Sequence, residues 1–248
     1  MSRSAVGRSL RLYHAPERRP ALDAFHRRFL APGELAFDVG CHVGDRAASF
    51  RRIGAQVVAV EPQPLLARAL RLIFRRDADF TLVPALLGAT PGEALLRLNT
   101  ANPTVATASD AFIAAAEGAP GWEGQRWDAE LTRPRTTLDA LIAAHGLPDF
   151  IKVDVEGWEA EVLAGLGQAP RALSFEFTTI QREVALACLS RLEVLGLRDF
   201  NACLGESMEW AFPRAVPAAR MADWLAALPP EANSGDVYAS LEPARLTG

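Results

Sequence analysis

Short apolar segments alternate with helical patterns from residue 35 onward, and this alternation constrains the fold more than any other feature of the sequence. The apolar segments are continuous, which is typical of strands covered on both faces. They lie at residues 35–37, 56–60, 80–83, 150–153 and 172–175, and helical patterns lie at 45–52, 64–76, 137–145, 158–166 and 182–195. The alternation predicts βαβ units and a doubly wound, mostly parallel α/β sheet with helices on both faces.

Two later regions depart from this pattern. Residues 197–204 and 236–240 are predicted strands with a helix at 218–227 between them, so we expect the last strand to enter the sheet antiparallel. Residues 88–136 form a long excursion between two core strands, with an additional strand predicted at 93–98. Segments of this length usually act as a lid or a substrate-binding segment, which is what we expect here.

The N-terminal residues 1–30 are rich in arginine and are predicted to form a helical extension ahead of one domain at 31–248. Leu22, Phe25 and Phe29 have the spacing of one apolar helix face, which we expect to cover the core. The arginines indicate a solvated face, with an anionic partner or a homodimer contact as the alternatives. A chain of 248 residues, 50% of them hydrophobic, is long enough for one full-sized α/β domain.

Composition excludes several classes of protein. A net charge of −4 gives no reason to expect a nucleic-acid partner, and no apolar run approaches the roughly 18 residues that a membrane span needs. No apolar stretch follows the N-terminal arginines as a signal peptide would require. Cys41, Cys188 and Cys203 are far apart and odd in number, so neither a disulfide framework nor a zinc site is expected. We therefore expect a soluble cytoplasmic protein.

A glycine-containing loop, DVGCHVG at residues 38–44, joins the first strand to the first helix of the sheet. Such a turn lets the backbone approach a ligand closely, and the helix N-terminus offers free N–H groups. Alone the loop is weak evidence, because glycine pairs occur in many tight turns. Glu61 ends the second strand, where a carboxylate can accept both hydroxyls of an adenosine ribose. The alternative for Glu61 is an ordinary surface carboxylate.

The spacing within the loop distinguishes two cofactors. A dinucleotide fingerprint, Gly-x-Gly-x-x-Gly, admits a pyrophosphate at its second glycine. Here the pattern is Asp-x-Gly-x-x-x-Gly, and Asp38 would repel a pyrophosphate. S-adenosylmethionine has no phosphate and carries a sulfonium cation, so it is the expected cofactor. An NAD-dependent oxidoreductase and a non-catalytic cofactor-binding relative are the alternatives.

Three motifs in order, DVGCHVG at 38–44, VEP at 60–62 and IKVDVEG at 151–157, resemble the FkbM family of S-adenosylmethionine-dependent methyltransferases. The resemblance implies a Rossmann-like class I methyltransferase fold with a seven-strand sheet, and makes 31–248 the methyltransferase domain. It also implies O-methylation of a hydroxyl on a small-molecule or glycan acceptor, such as a sugar or a natural product. The family commonly has Asn where His42 stands.

Four residues are candidates for catalysis. Asp154 and Glu156 follow the fourth strand, and a spacing of two places them on one side if the strand continues. Glu176 ends the fifth strand and can orient the acceptor, while His42 can act as a base near neutral pH. Helix capping by Glu156, an ordinary strand-end role for Glu176 and a loop role for His42 are the alternatives. Oxygen ligands suit a divalent cation, but no third ligand is evident, so no metal is predicted.

The complete set of predicted cofactor-binding residues is Asp38, Gly40, Cys41, His42, Gly44, Glu61, Pro62, Leu86, Asn102 and Asp154. Asn102 is included because of its position in the excursion at 88–136. Lys152 lies in a buried strand, so we expect its stem to pack along the sheet while its charge reaches an acid. Trp122, Trp127 and Trp158 offer an aromatic wall for a sugar, with ordinary core or loop packing as the alternative.

Overall fold

The computed structural model describes residues 3–248 of the chain. Its helices are α1 Arg3–Tyr13, α2 Arg19–His26, α3 Asp45–Ile53, α4 Pro64–Ile73, α5 Asp110–Ala116, α6 Leu138–His145, α7 Glu159–Ala164, α8 Arg182–Val194 and α9 Ala218–Ala227. Its strands are β1 Leu35–Val39, β2 Gln56–Val60, β3 Phe80–Val83, β4 Leu86–Leu87, β5 Gly92–Leu98, β6 Ala129–Thr136, β7 Phe150–Val153, β8 Ala172–Thr178, β9 Asp199–Leu204, β10 Val216–Pro217 and β11 Ser234–Ser240.

The main sheet has the strand order β10-β9-β11-β8-β7-β1-β2-β3. Strands β3, β2, β1, β7 and β8 run parallel, and β11 pairs antiparallel with both β8 and β9. The predicted doubly wound sheet and its antiparallel last strand are therefore confirmed. The predicted number of seven strands is wrong by one, because the two-residue β10 adds an edge strand beside β9.

The order of the strands reverses at β1, which lies between β2 and β7. In open α/β sheets a crevice forms at this point, beyond the carboxyl ends of the strands. The DVGCHVG loop follows β1, Glu61 follows β2 and Asp154 follows β7. The topology thus brings the three predicted motifs to one edge of the sheet.

The excursion at 88–136 is folded. Its strands β5 and β6 pair antiparallel, and β4 joins β6 to complete a second, three-stranded sheet. The strand predicted at 93–98 is confirmed as β5. Between β5 and β6 the chain forms the 3₁₀ turn Pro103–Val105 and helix α5.

The ends of two strands decide where the predicted carboxylates lie. The strand predicted at 172–175 continues to Thr178, so Glu176 lies inside β8 rather than at its end. Phe175 and Phe177 are buried in the core, and the alternation along a strand turns Glu176 to the opposite face. The fourth strand stops at Val153, so the spacing of two along a strand does not place Glu156.

The N-terminal segment covers the sheet as predicted. Leu22, Phe25 and Phe29 are buried, and the ring of Phe29 stacks on Phe150 of β7 and Tyr238 of β11. Helix α2 ends at His26, so Phe29 extends the buried apolar surface of Leu22 and Phe25 beyond the end of the helix. No helix within residues 3–248 has the length and hydropathy that a bilayer crossing requires.

Candidate active site

A cleft of about 980 Å³, measured to its open mouth, lies at the carboxyl ends of the parallel strands. Seven acidic side chains line it against two basic ones: Asp38, Asp45, Glu61, Asp154, Glu156, Glu176 and Glu206, with Arg46 and Lys152. The excess of carboxylates favours a cationic ligand over one that carries phosphates.

The DVGCHVG loop needs glycine at position 40. Gly40 has a φ of 78°, and a Cβ atom there would lie 1.7 Å from the backbone oxygen of Asp154. His42 also adopts the left-handed region, with a φ of 50°. Histidine is one of the residues enriched in this conformation, which is a physical reason for His42 to be tolerated here.

Asp38 lines the cleft and also stabilises the helix behind it. Its carboxylate accepts a hydrogen bond of 2.9 Å from the backbone N–H of Ala47, in the first turn of α3. This bond satisfies one of the donors that a helix N-terminus leaves free. Burial raises the pKa of Asp38 to about 7. A cation beside Asp38 would favour its charged form.

Glu61 is held at the end of β2 by the backbone on both sides. One carboxylate oxygen accepts from His42 N at 3.0 Å and the other from Gln63 N at 2.7 Å. Each oxygen has a second lone pair, so the carboxylate can accept two further donors. Burial raises the pKa of Glu61 to about 8, although the two backbone bonds lower it.

Two buried polar atoms near Glu61 have no hydrogen-bond partner among residues 3–248: Nε2 of His42 and Oε1 of Gln63. The amide nitrogen of Gln63 donates to Pro103 O at 3.0 Å, which fixes the side chain. Buried polar atoms are rarely left unpaired, so both point to a ligand in this half of the cleft. Gln63 was not predicted as a site residue, although its position two residues after Glu61 was a usable signal.

The other half of the cleft holds a carboxylate cluster, which consists of Asp154, Glu156 and Glu176. One carboxylate oxygen of each lies within 4.8 Å of the others. Asp154 follows β7, and Glu176 reaches the same point from β8, the neighbouring strand. Glu156 arrives through a turn, with a φ of 56°, rather than along the strand.

The excursion holds that turn in place. The Thr107 hydroxyl donates a hydrogen bond of 2.6 Å to the backbone oxygen of Glu156. Gly157, with a φ of 82°, lies under Phe112 of α5, whose ring carbon would be 2.6 Å from a Cβ atom there. Since a left-handed glutamate is unfavourable by itself, these contacts explain why the conformation persists.

Lys152 behaves as predicted. Its stem is buried in β7, and its ammonium lies 2.7 Å from Asp154 Oδ2 and 3.5 Å from Asp236 Oδ1.

Burial raises the pKa values of Glu156 and Glu176 well above the usual range, and the charge of Asp154 raises them further. Burial lowers the pKa of His42 to about 4, so its ring is neutral at neutral pH.

Helix α1 and the end of β9 complete the walls, and neither was predicted to do so. The Tyr13 ring lies edge-on to His42, with centroids 5.3 Å apart. Arg46 of α3 binds Asp45 at 2.9 Å and Glu206 at 2.5 Å, which ties the loop after β9 to the start of α3 beside the DVGCHVG loop. The sequence offered no periodic or motif signal for Tyr13 or Glu206.

The model of the methyltransferase FkbM domain matches residues 38–200 of the 248. The chain belongs to the FkbM methyltransferase family. The match spans the loop after β1, Glu61 and all three residues of the carboxylate cluster. The resemblance seen in the sequence is thereby confirmed.

This FkbM methyltransferase is also similar to solved structures. One is a precorrin-6y C5,15-methyltransferase from Geobacter metallireducens, with 12% identity and a TM-score of 0.42 over 90% of this chain and 86% of that one. A TehB-like SAM-dependent methyltransferase from Corynebacterium glutamicum has 11% identity and a TM-score of 0.43, over 90% of this chain and 88% of that one. Fibrillarin from Aeropyrum pernix, bound to S-adenosylmethionine, has 13% identity and a TM-score of 0.42, over 84% of this chain and 67% of that one. Comparison with curated proteins finds no match.

Most predicted site residues of the FkbM methyltransferase line the cleft; they are Asp38, Gly40, Cys41, His42, Glu61, Pro62, Leu86, Asp154, Glu156 and Glu176. Gly44 and Asn102 are not among its lining residues. Gly44 precedes α3 and packs against Leu70 of α4, so it shapes the loop from behind. The Asn102 amide donates to Gln125 Oε1 at 3.3 Å, within the excursion.

The three tryptophans separate into two groups. Trp158 lines the cleft, and its ring nitrogen donates to Leu87 O at 3.1 Å. Trp122 and Trp127 pack around Phe112 instead, in a small apolar cluster of the excursion. Of the three tryptophans predicted to form an aromatic wall, Trp158 alone lines the cleft.

Proposed function

We propose that this FkbM methyltransferase binds S-adenosylmethionine and transfers its methyl group to a hydroxyl of a small-molecule or glycan acceptor. The observation that carries the proposal is the Glu61 carboxylate, oriented by two backbone N–H groups, across the cleft from the carboxylate cluster. The Glu61 side of the cleft is suited to a ribose, and the side of the carboxylate cluster is suited to an acceptor that must lose a proton.

The cofactor half fits S-adenosylmethionine. The two ribose hydroxyls can donate to the free lone pairs of Glu61, while His42 Nε2 and Gln63 Oε1 offer further polar contacts. When bound, the cofactor supplies an electrophilic methyl group on a sulfonium and leaves as a neutral thioether. Its net positive charge suits a cleft with seven acidic and two basic side chains, whereas a dinucleotide would bring two phosphates.

The acceptor half provides candidate bases. Methyl transfer needs the acceptor oxygen held in line at about 3 Å, and a base to take its proton. Glu156 and Glu176 have raised pKa values, which makes them stronger bases than an ordinary carboxylate. His42, with a pKa of about 4, is the weaker candidate. Asp154 is positioned by Lys152.

Acceptor recognition is assigned to the wall that Trp158 and the excursion form. Leu86, Leu96 and Ala106 line the cleft beside Trp158, so an apolar surface faces the polar cluster. A ring with apolar faces and hydroxyl edges, such as a sugar, matches that combination. The excursion at 88–136 then acts as the substrate-binding segment.

Titration of the protein with labelled S-adenosylmethionine and, separately, with NADH tests the cofactor. We expect S-adenosylmethionine to bind and Glu61→Gln to weaken it about tenfold or more, because an amide presents a donor where the carboxylate accepts. Glu93→Gln, at an exposed position of β5, is the matched control and should bind as the wild type does. Binding of NADH alone would refute the proposal.

Acceptor chemistry is tested with sugars, phenols and amines of similar size, by following the label into product. Transfer to hydroxyl compounds is the expected result. Transfer to amines only, with S-adenosylmethionine bound normally, would show that O-methylation is wrong while the cofactor assignment stands.

A further inference from the structure

The carboxylate cluster has the dimensions of a cation site. Its three ligand oxygens all lie within 4.8 Å of one another. Two ligand oxygens on opposite sides of a cation are separated by twice the metal–oxygen distance, about 4.2 Å for Mg²⁺ and about 4.8 Å for Ca²⁺. Oxygens on adjacent sides are closer. One cation can therefore lie between all three carboxylates.

Two of the three carboxylates, those of Glu156 and Glu176, lack among residues 3–248 the partners that a purely structural role would require. Glu156 is only 7% exposed, lines the cleft, and its carboxylate receives no hydrogen bond within residues 3–248. The Thr107 hydroxyl bonds the backbone oxygen of Glu156 and leaves the carboxylate free. Oε2 of Glu176 is likewise buried without a donor. Burying an anion in this way is costly unless a counter-charge is present.

The protein itself supplies too little positive charge. Lys152 is the cation beside the cluster, and it lies between Asp154 and Asp236. Arg46 is engaged by Asp45 and Glu206. In the described part of the chain no ion pair reaches the carboxylate of Glu156 or Glu176. The ionised forms of Glu156 and Glu176 therefore lack a compensating charge from the protein, and one divalent cation would supply the two positive charges they need.

We propose that Asp154, Glu156 and Glu176 bind one divalent cation of the Mg²⁺, Mn²⁺ and Ca²⁺ class. Carboxylate oxygens without nitrogen or sulfur donors favour these cations over zinc or copper. The cleft leaves the remaining coordination positions to water or ligand. The same carboxylates that the sequence suggested as bases then act as ligands.

A role for this cation in methyl transfer rests on the proposed function. An acceptor hydroxyl that replaces one bound water loses its proton more easily, because the cation stabilises the alkoxide. The oxygen then bonds to the methyl carbon as the sulfur–carbon bond breaks, and the proton passes to bound water or solvent. Cation binding itself does not depend on the cofactor.

The test is calorimetric titration of protein stripped with EDTA and desalted, without cofactor, using Mn²⁺, Mg²⁺ and Ca²⁺ separately. We expect one site per chain, and about tenfold or greater weakening in Glu156→Gln and in Glu176→Gln. Glu159→Gln is the matched control. Glu159 is also buried, but its carboxylate accepts from Val155 N at 2.9 Å, a bond that glutamine preserves. The cation affinity of Glu159→Gln should stay within about twofold of that of the wild type.

Each contrary outcome has a separate meaning. If the wild type binds none of the three cations, or if Glu176→Gln binds them equally well, the cation site is refuted. S-adenosylmethionine bound in a parallel titration would leave the proposed function intact. Cation binding without cofactor binding would refute the function alone. Tight binding of an organic amine without any divalent cation would assign the cluster to cationic acceptors and also refute the site.

A second measurement covers the case in which a variant does not fold. The electron paramagnetic resonance signal of Mn²⁺ should lose intensity when wild-type protein is added, and excess Mg²⁺ or Ca²⁺ should restore it. An unchanged Mn²⁺ signal would overturn the proposal without any variant.

Discussion

A Cβ atom on Gly40 would lie 1.7 Å from the carbonyl oxygen of Asp154 and 2.8 Å from its carbonyl carbon. The cofactor loop after β1 and the turn after β7 therefore pack backbone against backbone. This contact fixes the distance between the two halves of the cleft, because neither backbone can move without breaking its strand.

Gly40→Ala should consequently destabilise the protein by about 3 kcal/mol or more, since the clash is with backbone and comes on top of left-handed strain. Gly196→Ala is the matched control. Gly196 has a φ of 95°, but a Cβ there meets nothing within 4 Å, so only about 1–2 kcal/mol of strain is expected. Urea unfolding of both variants measures the difference, and equal losses would show that the close approach is unimportant.

Affinity for S-adenosylmethionine should rise with pH. Burial raises the pKa of Glu61 to about 8, so below that pH the empty protein holds a proton on the carboxyl that must accept the ribose hydroxyls. Raising the pH from about 6 to 9 should strengthen binding, and Glu61→Gln should remove much of the slope. Asp38, with a pKa of about 7, adds a smaller dependence that the variant retains. Binding independent of pH in the wild type would contradict this assignment.

Thr107→Val should lower kcat about tenfold or more, because it removes the donor that holds the Glu156 turn. Affinity for S-adenosylmethionine should stay within about twofold, since the cofactor half of the cleft is untouched. Thr100→Val, which breaks an exposed bond to Asp128 in the same excursion, is the control and should leave both values unchanged. A loss of cofactor affinity in Thr107→Val would instead indicate a general disturbance of the cleft.

The contribution of His26 to stability should fall as the pH drops below about 6.5, against an opposite contribution from Asp38 and Glu61, whose pKa values burial raises. His26 is buried and bonded to Ser49 Oγ at 2.9 Å, and burial lowers its pKa well below the usual value. Below the unfolded pKa of about 6.5 the unfolded chain takes up a proton that the folded chain refuses, at up to about 1.4 kcal/mol per pH unit. His42, with a lowered pKa of about 4, acts in the same direction.

His26→Gln should therefore lower the slope of unfolding free energy against pH by up to about 1.4 kcal/mol per pH unit between about 6.5 and 5. The comparison is of slopes, so a uniform loss of stability in the variant does not affect it. A slope identical to that of the wild type would mean that His26 titrates in the folded protein as it does in the unfolded chain.

The local sequence was sufficient for most elements of the sheet. Continuous apolar runs predicted β1, β2, β3 and β7. The helical pattern at 137–145 predicted α6, which Thr137 caps by accepting a hydrogen bond from Ala140 N. The end of β8 was misjudged because Glu176 interrupts an apolar run. Its strand continues since the flanking Phe175 and Phe177 are buried on the other face.

The sequence by itself determined the parallel sheet, the glycine loop and the acid at the end of β2, because apolar periodicity, turn chemistry and strand ends are local properties. Only the tertiary structure brought Glu176 to Asp154 and Glu156, and so supplied the third carboxylate that the sequence did not reveal. It also brought Tyr13 to the cleft and kept Gly44 and Asn102 out of its lining. These placements depend on which strands become neighbours and which way side chains turn, and spacing along the chain encodes neither.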